Sequence, residues 1–351
     1  MLKGSSWSTE LLLRKRALTL PAMREAEAAA AIAAEPPLES AHPLRPLVPP
    51  PASLARRGPG LAALVTLRPQ QWVKNLLVIA AAGAAGALGH DDVPGRVTVA
   101  FIAFCLLASG IYAVNDVRDV HEDRLHPKKR LRPVAAGELG LRTATVMGIA
   151  LMTIGLGLCI FISPLLGLVG AGYVALTLSY TLVWRHLLLL DIIAIGGGFV
   201  LRAVAGGVAA PVALSRWFLL VITCAAVFVA AGKRYAELRR TNAGVRAGEA
   251  VARRRVLEAY SEARLRLIMA ASVAAAVFAY SVWAFQLPVV DGVPWRLLTI
   301  APFAICLLRY GSLVLAGAGE APEDVLFRDR MLQLTGLVWL VLFALGVHAA
   351  S

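Results

Sequence analysis

The sequence predicts an all-α integral membrane protein. It should have nine transmembrane helices, the N-terminus in the cytoplasm and the C-terminus outside. Three observations carry this prediction: composition, the run pattern and the placement of the cations. Of 351 residues, 58% are hydrophobic and 16% charged, yet the net charge is +13, from 35 Lys+Arg against 22 Asp+Glu. Soluble domains are about 25% charged and about 45–50% apolar. An ordinary soluble globule and a disordered polymer are both excluded. A nucleic-acid binder can be this basic but is rarely this apolar, so no nucleic-acid partner is expected.

Residues 1–60 differ from the rest. Ala28–Ala34 is nearly all Ala, and Pro36, Pro37, Pro43, Pro46 and Pro49–Pro51 follow. Such a stretch has too few large apolar groups for a core, so a mostly disordered cytoplasmic tail with one short helix is expected. A signal peptide is not expected here, because Pro21 and Arg24 break the apolar run after Arg14-Lys15-Arg16. The membrane domain should then cover 61–351. A span needs about 20 residues. The apolar runs fall at roughly 73–89, 97–115, 143–162, 165–184, 187–209, 216–232, 267–286, 296–316 and 331–349.

Cations fix the orientation. With the N-terminus inside, residues 1–75, 116–142, 185–186, 233–266 and 309–330 hold 31 of the 35 Lys/Arg. The outer loops hold only Arg96, Arg216 and Arg296, and Arg202 lies within a span. This is the positive-inside pattern. Every long loop is then cytoplasmic, and the basic loops also meet membrane lipids. Cys105, Cys159, Cys224 and Cys306 sit in apolar runs without metal-ligand spacing, and read as packing residues.

The chemistry is written in the first long loop. Asn115, Asp116, Asp119 and Asp123 are spaced i, i+3 and i, i+4, so a helix puts them on one face. Like charges so placed repel unless a cation sits among them. Hard carboxylate oxygens suit Mg²⁺, which uses a few carboxylates plus substrate phosphates. His126-Pro-Lys-Lys129-Arg130-Leu-Arg132-Pro133 follows at once. Acids then bases suit a metal-bound diphosphate with further phosphate oxygens to neutralise.

Other polar residues stay open between two readings. Lys74, beside Trp72, either snorkels or meets a phosphate. Arg185 sits at the cytoplasmic edge. Asp191 and Arg202, eleven residues apart on one face, either pair with other groups inside the bundle, or Asp191 helps order the site mouth. Lys233 and Arg234 anchor the loop or bind phosphate. Glu237 pairs with Lys233 at i, i+4 or faces substrate.

Asn115-Asp-x-x-Asp119-x-x-x-Asp123 in a nine-span chain resembles the UbiA superfamily of intramembrane prenyltransferases. Four strings resemble its polyprenyl-phosphate phosphoribosyltransferase branch from about residue 60 onward. They are Arg68-Pro-Gln-Gln-Trp72-Val-Lys74-Asn75, the acidic and basic loop just described, Asp191…Gly198-Phe-Val-Leu-Arg202-Ala-x-Ala-Gly206, and Gly232-Lys233-Arg234-Tyr235-Ala-Glu237-Leu238. One departure from the wider superfamily is informative. Its second Asp-rich motif is replaced by Lys233-Arg234-Tyr235-x-Glu237, which suits a donor carrying an extra phosphate.

The resemblance implies a UbiA-type bundle in a bacterial plasma membrane, with its active site facing the cytoplasm. It implies Mg²⁺ held by Asn115, Asp116, Asp119 and Asp123, with the three Asp residues catalytic. The substrates implied are 5-phosphoribosyl 1-diphosphate and a polyprenyl (decaprenyl) phosphate, in arabinan precursor synthesis. Lys74, Asn115, Lys129, Arg130, Arg132, Arg185, Asp191, Lys233, Tyr235 and Glu237 are the implied substrate-binding residues. Self-association is left open. Two rivals remain at this point: prenyl transfer to an aromatic acceptor, and a transporter, which the intramembrane Asp191 and Arg202 would suit.

Overall fold

The computed structural model describes residues 57–349, apart from 91, 127, 185–187, 247–260, 287–291 and 319–321. All of these belong to the unit Pro50–Ser351. The expected tail 1–60 therefore lies almost wholly outside the described residues. Where described, the chain is helical with no strand. Helices α1 (Pro59–Leu67) and α2 (Leu76–Ala84) flank a 3-10 stretch, Pro69–Asn75. Then come α3 (Val93–Arg118), α4 (Val120–Leu125), α5 (Leu141–Ile162) and α6 (Pro164–Ser179), which ends in a π-helical turn, Tyr180–Trp184. Next are α7 (Leu188–Ala209), α8 (Arg216–Arg246) and α9 (Glu262–Phe285). The chain closes with α10 (Trp295–Leu298), α11 (Ile300–Leu313), a second π-helical turn (Val314–Ala318), α12 (Pro322–Arg328) and α13 (Arg330–His348).

Local chemistry sets several of these ends. Ser163 accepts the amide of Leu166 at 3.1 Å, with Pro164 at the first helical position. Ser261 accepts that of Arg264 at 3.1 Å, and Asp329 that of Leu332 at 2.8 Å. Eight helical stretches among the described residues are long and apolar enough to cross a membrane. They match the second to ninth expected runs.

The first run, 73–89, takes a different form. Pro69 follows Arg68, whose φ of +53° ends α1 in the left-handed region. Proline disfavours helix in the residue before it, which is why α1 does not run on. The run itself is 3-10 to Asn75 and α-helical only to Ala84, before Gly86 turns at φ +70°. The sixth run extends the other way. Nothing stops α8 at residue 232, and it continues to Arg246 through good helix formers.

Two larger apolar cores result, beside a smaller third of Ala62, Val120, Val134, Leu139 and Ala144 from α1, α4, α5 and the loop before α5. Phe104, Leu107, Ile111, Leu166 and Tyr173 centre the first, from α3, α6 and their neighbours. Phe228, Leu265, Met269, Tyr310 and Val314 centre the second, from α8, α9, α11 and the second π-helical turn. Helix α7 serves both: Ala205 and Ala209 join the first and Ile192 the second. Close helix approach depends on missing side chains. A Cβ on Gly110 would lie 2.6 Å from the Gly148 carbonyl, and one on Gly206 only 2.0 Å from that of Val78.

Candidate functional site

The acidic ladder occupies the end of α3 and the start of α4. The helix is interrupted at Asp119 (φ −88°, ψ 8°) and resumes one residue later. The N–H of Asp119 still reaches the Asn115 carbonyl at 2.9 Å, and that of Asp123 the Asp119 carbonyl at 2.8 Å. The expected common face therefore survives the interruption for Asp116 and Asp123. Both are 2% exposed. Arg132 donates from one nitrogen to Asp123 Oδ2 at 2.6 Å and Asp116 Oδ1 at 3.3 Å. Arg68 donates to the same Asp116 oxygen. Asp119 and Asn115 are half-buried, and Asn115 Oδ1 is a buried atom without a hydrogen-bond partner.

Among the described residues, no three Asp, Glu, His or Cys side chains are gathered so as to hold a metal. This does not exclude Mg²⁺, which needs only one or two carboxylates plus substrate phosphates. The donor set is all hard oxygen, and the unsatisfied Asn115 Oδ1 lies beside it. The residues fit the ion on that ground.

The basic loop folds back over this ladder. His126 Nδ1 accepts the amides of Lys128 and Lys129, both at 3.2 Å. That needs an unprotonated Nδ1. Burial, then the charges of Lys129 and Arg240, push the His126 pKa below its usual value. Arg124 Nε holds the Ala135 carbonyl at 3.1 Å, and Arg57 ties Leu131 and Glu138 to the residues before α1. Lys129 is half-buried and Arg130 exposed. Both sit in the short turn Lys129–Leu131, beside Arg132.

The string before α2 contributes more than expected. Arg68 lies over Tyr112 at 4.9 Å as well as meeting Asp116. Trp72 Nε1 donates to Ser109 Oγ at 3.0 Å, and Asn75 Nδ2 to Cys105 Sγ at 3.2 Å. Lys74 is held by Gln71. Sequence reasoning gave no site role to Arg68. Its partner is 48 residues away, so no local spacing reports the contact.

The structure does not gather every expected residue. Arg185 lies outside the described residues, and so does the side chain of Asp191. The reading of Asp191 therefore rests on sequence alone, whereas Arg202 does bond to other groups inside the bundle. Lys233 is exposed. Arg234, 4% exposed, pairs with Glu237 at i, i+3 and reaches Tyr180 Oη at 3.3 Å. Tyr235 is buried in the second core, with Arg239 over its ring at 5.9 Å. That face of α8 packs inward.

Comparison with known proteins follows this geometry. The UbiA prenyltransferase family matches residues 76–349. A decaprenyl-phosphate phosphoribosyltransferase of Corynebacterium glutamicum is 42% identical over 291 residues, covering 80% of this chain and 85% of that protein. One from Mycobacterium tuberculosis is 40% identical over 295 residues, covering 83% and 94%. Among solved structures, a UbiA homolog from Archaeoglobus fulgidus bound to GPP and Mg²⁺ aligns with a TM-score of 0.61. It is 16% identical and covers 82% of this chain and 99% of that one. The ladder-bearing helical bundle is thus the fold its relatives share, and the chain belongs to the UbiA prenyltransferase family.

Proposed function

We propose that this membrane enzyme transfers 5-phosphoribose from 5-phosphoribosyl 1-diphosphate to a polyprenyl phosphate, decaprenyl phosphate in the first instance. The reaction would release diphosphate at the cytoplasmic face of a bacterial plasma membrane and feed arabinan precursor synthesis. The observation that carries this is the meeting of buried acids with Arg68 and Arg132, under a loop of further cations. The named relatives support it.

Asp116, Asp119 and Asp123, with Asn115, would hold Mg²⁺, which when bound neutralises charge growing on the diphosphate. Arg132, Lys129, Arg130 and Lys233 would meet phosphate oxygens and orient the donor. No residue need act as general base. A phosphate monoester has a second pKa of about 6, so the attacking oxygen is already anionic. Positioning and preorganised charge then do most of the catalysis. Attack opposite the leaving group inverts the anomeric carbon.

Nine crossings belong to the same proposal. The 3-10 stretch at about 2.0 Å per residue gives about 14 Å, and the nine residues of α2 at about 1.5 Å give another 13 or so. Together they nearly match a hydrocarbon core of about 30 Å. The test is incubation of purified protein with labelled phosphoribosyl diphosphate, Mg²⁺ and polyprenyl phosphate. A labelled, acid-labile lipid is expected. Prenylation of an aromatic acceptor, with no labelled lipid, would overturn the reading.

A further inference from the structure

Pro69–Asn75 forms seven residues of continuous 3-10 helix. Such runs rarely exceed three or four residues, because their hydrogen-bond geometry is poorer than that of an α-helix. The contacts down α3 show what holds this one. Arg68 meets Asp116, Trp72 meets Ser109 and Asn75 meets Cys105. Asp116 and Cys105 are eleven residues apart on α3, or about 16 Å at about 1.5 Å per residue. Seven residues of 3-10 helix supply about 14 Å, whereas an α-helix of that length would supply about 10 Å. The reach of the Arg68 side chain covers the remainder. An α-helix would leave about 6 Å, nearly the full reach of an extended arginine, whereas the 3-10 form spans both pins with reach to spare.

The lower pin is unusual. Arg202 is 6% exposed inside the bundle. It donates to Asn75 Oδ1 at 2.6 Å, to Tyr173 Oη at 2.7 Å and to the Gly198 carbonyl at 2.8 Å. It also lies over the Tyr173 ring at 4.7 Å. All three acceptors are neutral, and no carboxylate among the described residues forms an ion pair with it. An arginine so placed in a membrane bundle is costly, and such residues mark function more often than packing. Depth excludes a direct role in the chemistry. The layer of Asn75 lies about 16 Å from Asp116 along α3, whereas reacting atoms must come within about 3–3.5 Å of one another.

We propose that Arg202 is a positioning residue for the transfer site. Through Asn75 it holds the 3-10 strut extended, so that Arg68 reaches Asp116 and Lys74 is kept at a fixed depth. The catalytic consequence rests on the transfer reading above.

Full-length protein carrying Arg202→Gln, Asn75→Ala or Arg68→Gln, and the double variant Arg68→Gln/Arg202→Gln, tests it by two routes. In hydrogen exchange, Arg202→Gln and Asn75→Ala should each raise exchange across 68–76 while α9 and α13 stay protected. In the transfer assay, Arg202→Gln and Arg68→Gln should each lower kcat by about 10²-fold, with KM for the polyprenyl phosphate little changed. The double variant should be no slower than Arg68→Gln alone, because both act through one contact. Losses that multiply, or unchanged exchange across 68–76, would overturn the proposal. If Arg202→Gln does not fold, Asn75→Ala carries both routes. If the wild type makes no phosphoribosyl lipid, the transfer reading fails, while the exchange result still decides whether Arg202 pins the strut.

Discussion

Asp116 and Asp123 are buried carboxylates, and a buried charge left without a partner is costly. Arg132 pairs with both, and Arg68 with Asp116 as well. Removing one partner of a fully buried pair costs about 3–5 kcal/mol. Arg132 is 29% exposed, so solvent screens part of this. Arg132→Gln should therefore lower unfolding free energy by about 1–3 kcal/mol, read as a drop in thermal midpoint. Asp116→Ala and Asp119→Ala should instead abolish transfer in protein that still inserts and folds. Near-normal activity of either at saturating Mg²⁺ would remove the metal assignment. His126 gives the pH dependence. Its folded pKa lies below the usual value of about 6.5, so the fold holds the neutral ring. That contribution is fully present above about pH 6.5 and is lost as pH falls through the lower folded pKa. His126→Asn offers an oxygen acceptor that does not titrate. Its thermal midpoint should gain on wild type as pH drops from 7 to 5, and a constant difference would show that the ring does not control this loop.

At the level of elements, the broken first span depends on glycine. A Cβ at Gly206 would sit 2.0 Å from the Val78 carbonyl oxygen and 2.8 Å from its carbon, and backbone cannot swing aside as a side chain can. Gly206→Ala should cost about 1–3 kcal/mol by overpacking and loosen α2 against α7. Gly172, within α6, has nothing within 4 Å of an added Cβ. Gly172→Ala should be neutral or stabilising by up to about 1 kcal/mol, on helix propensity. Equal losses at the two positions would mean that helix dynamics, not this contact, sets the cost. The same elements show what could be read in advance. The ladder was legible because its period is that of a helix, and Asp116 and Asp123 do share Arg132. Pro69 was visible too, but it breaks the chain at Arg68, and mean apolarity over 73–89 hid that run's own change from 3-10 to α-helix and its end before Gly86. The inward face of Tyr235 was not legible, since the string Lys233–Leu238 does not say which side of α8 packs against α9 and α11.

Across the whole molecule, two helical halves meet at α7, and the site needs them in a fixed relation. Arg118 donates to the Leu182 carbonyl at 3.2 Å, and Arg234 reaches Tyr180 at 3.3 Å. The π-helical turn Tyr180–Trp184 thus joins the ladder helix to the helix bearing Lys233. Such turns are often found at functional sites. Function also requires the ladder to face the compartment holding the soluble donor. The proposed cytoplasmic side rests on charge placement, since the topology read from the sequence gathers 31 of 35 cations there. The broken span makes this a sharp question. If Pro69–Ala84 crosses the membrane, His90 is outside and residues before α1 are inside. If it re-enters without crossing, both lie on one side. His90 and Arg240 are exposed. In a background with the four native cysteines replaced, a cysteine at His90 should react with an impermeant maleimide in intact cells. One at Arg57 or Arg240 should react only after permeabilisation. Reaction at His90 and Arg57 together would reduce the crossings to eight and carry the C-terminus to the side of the N-terminus. Reaction at Arg240 without permeabilisation would turn the site outward, away from any cytoplasmic phosphoribosyl donor, and the transfer reading could not stand.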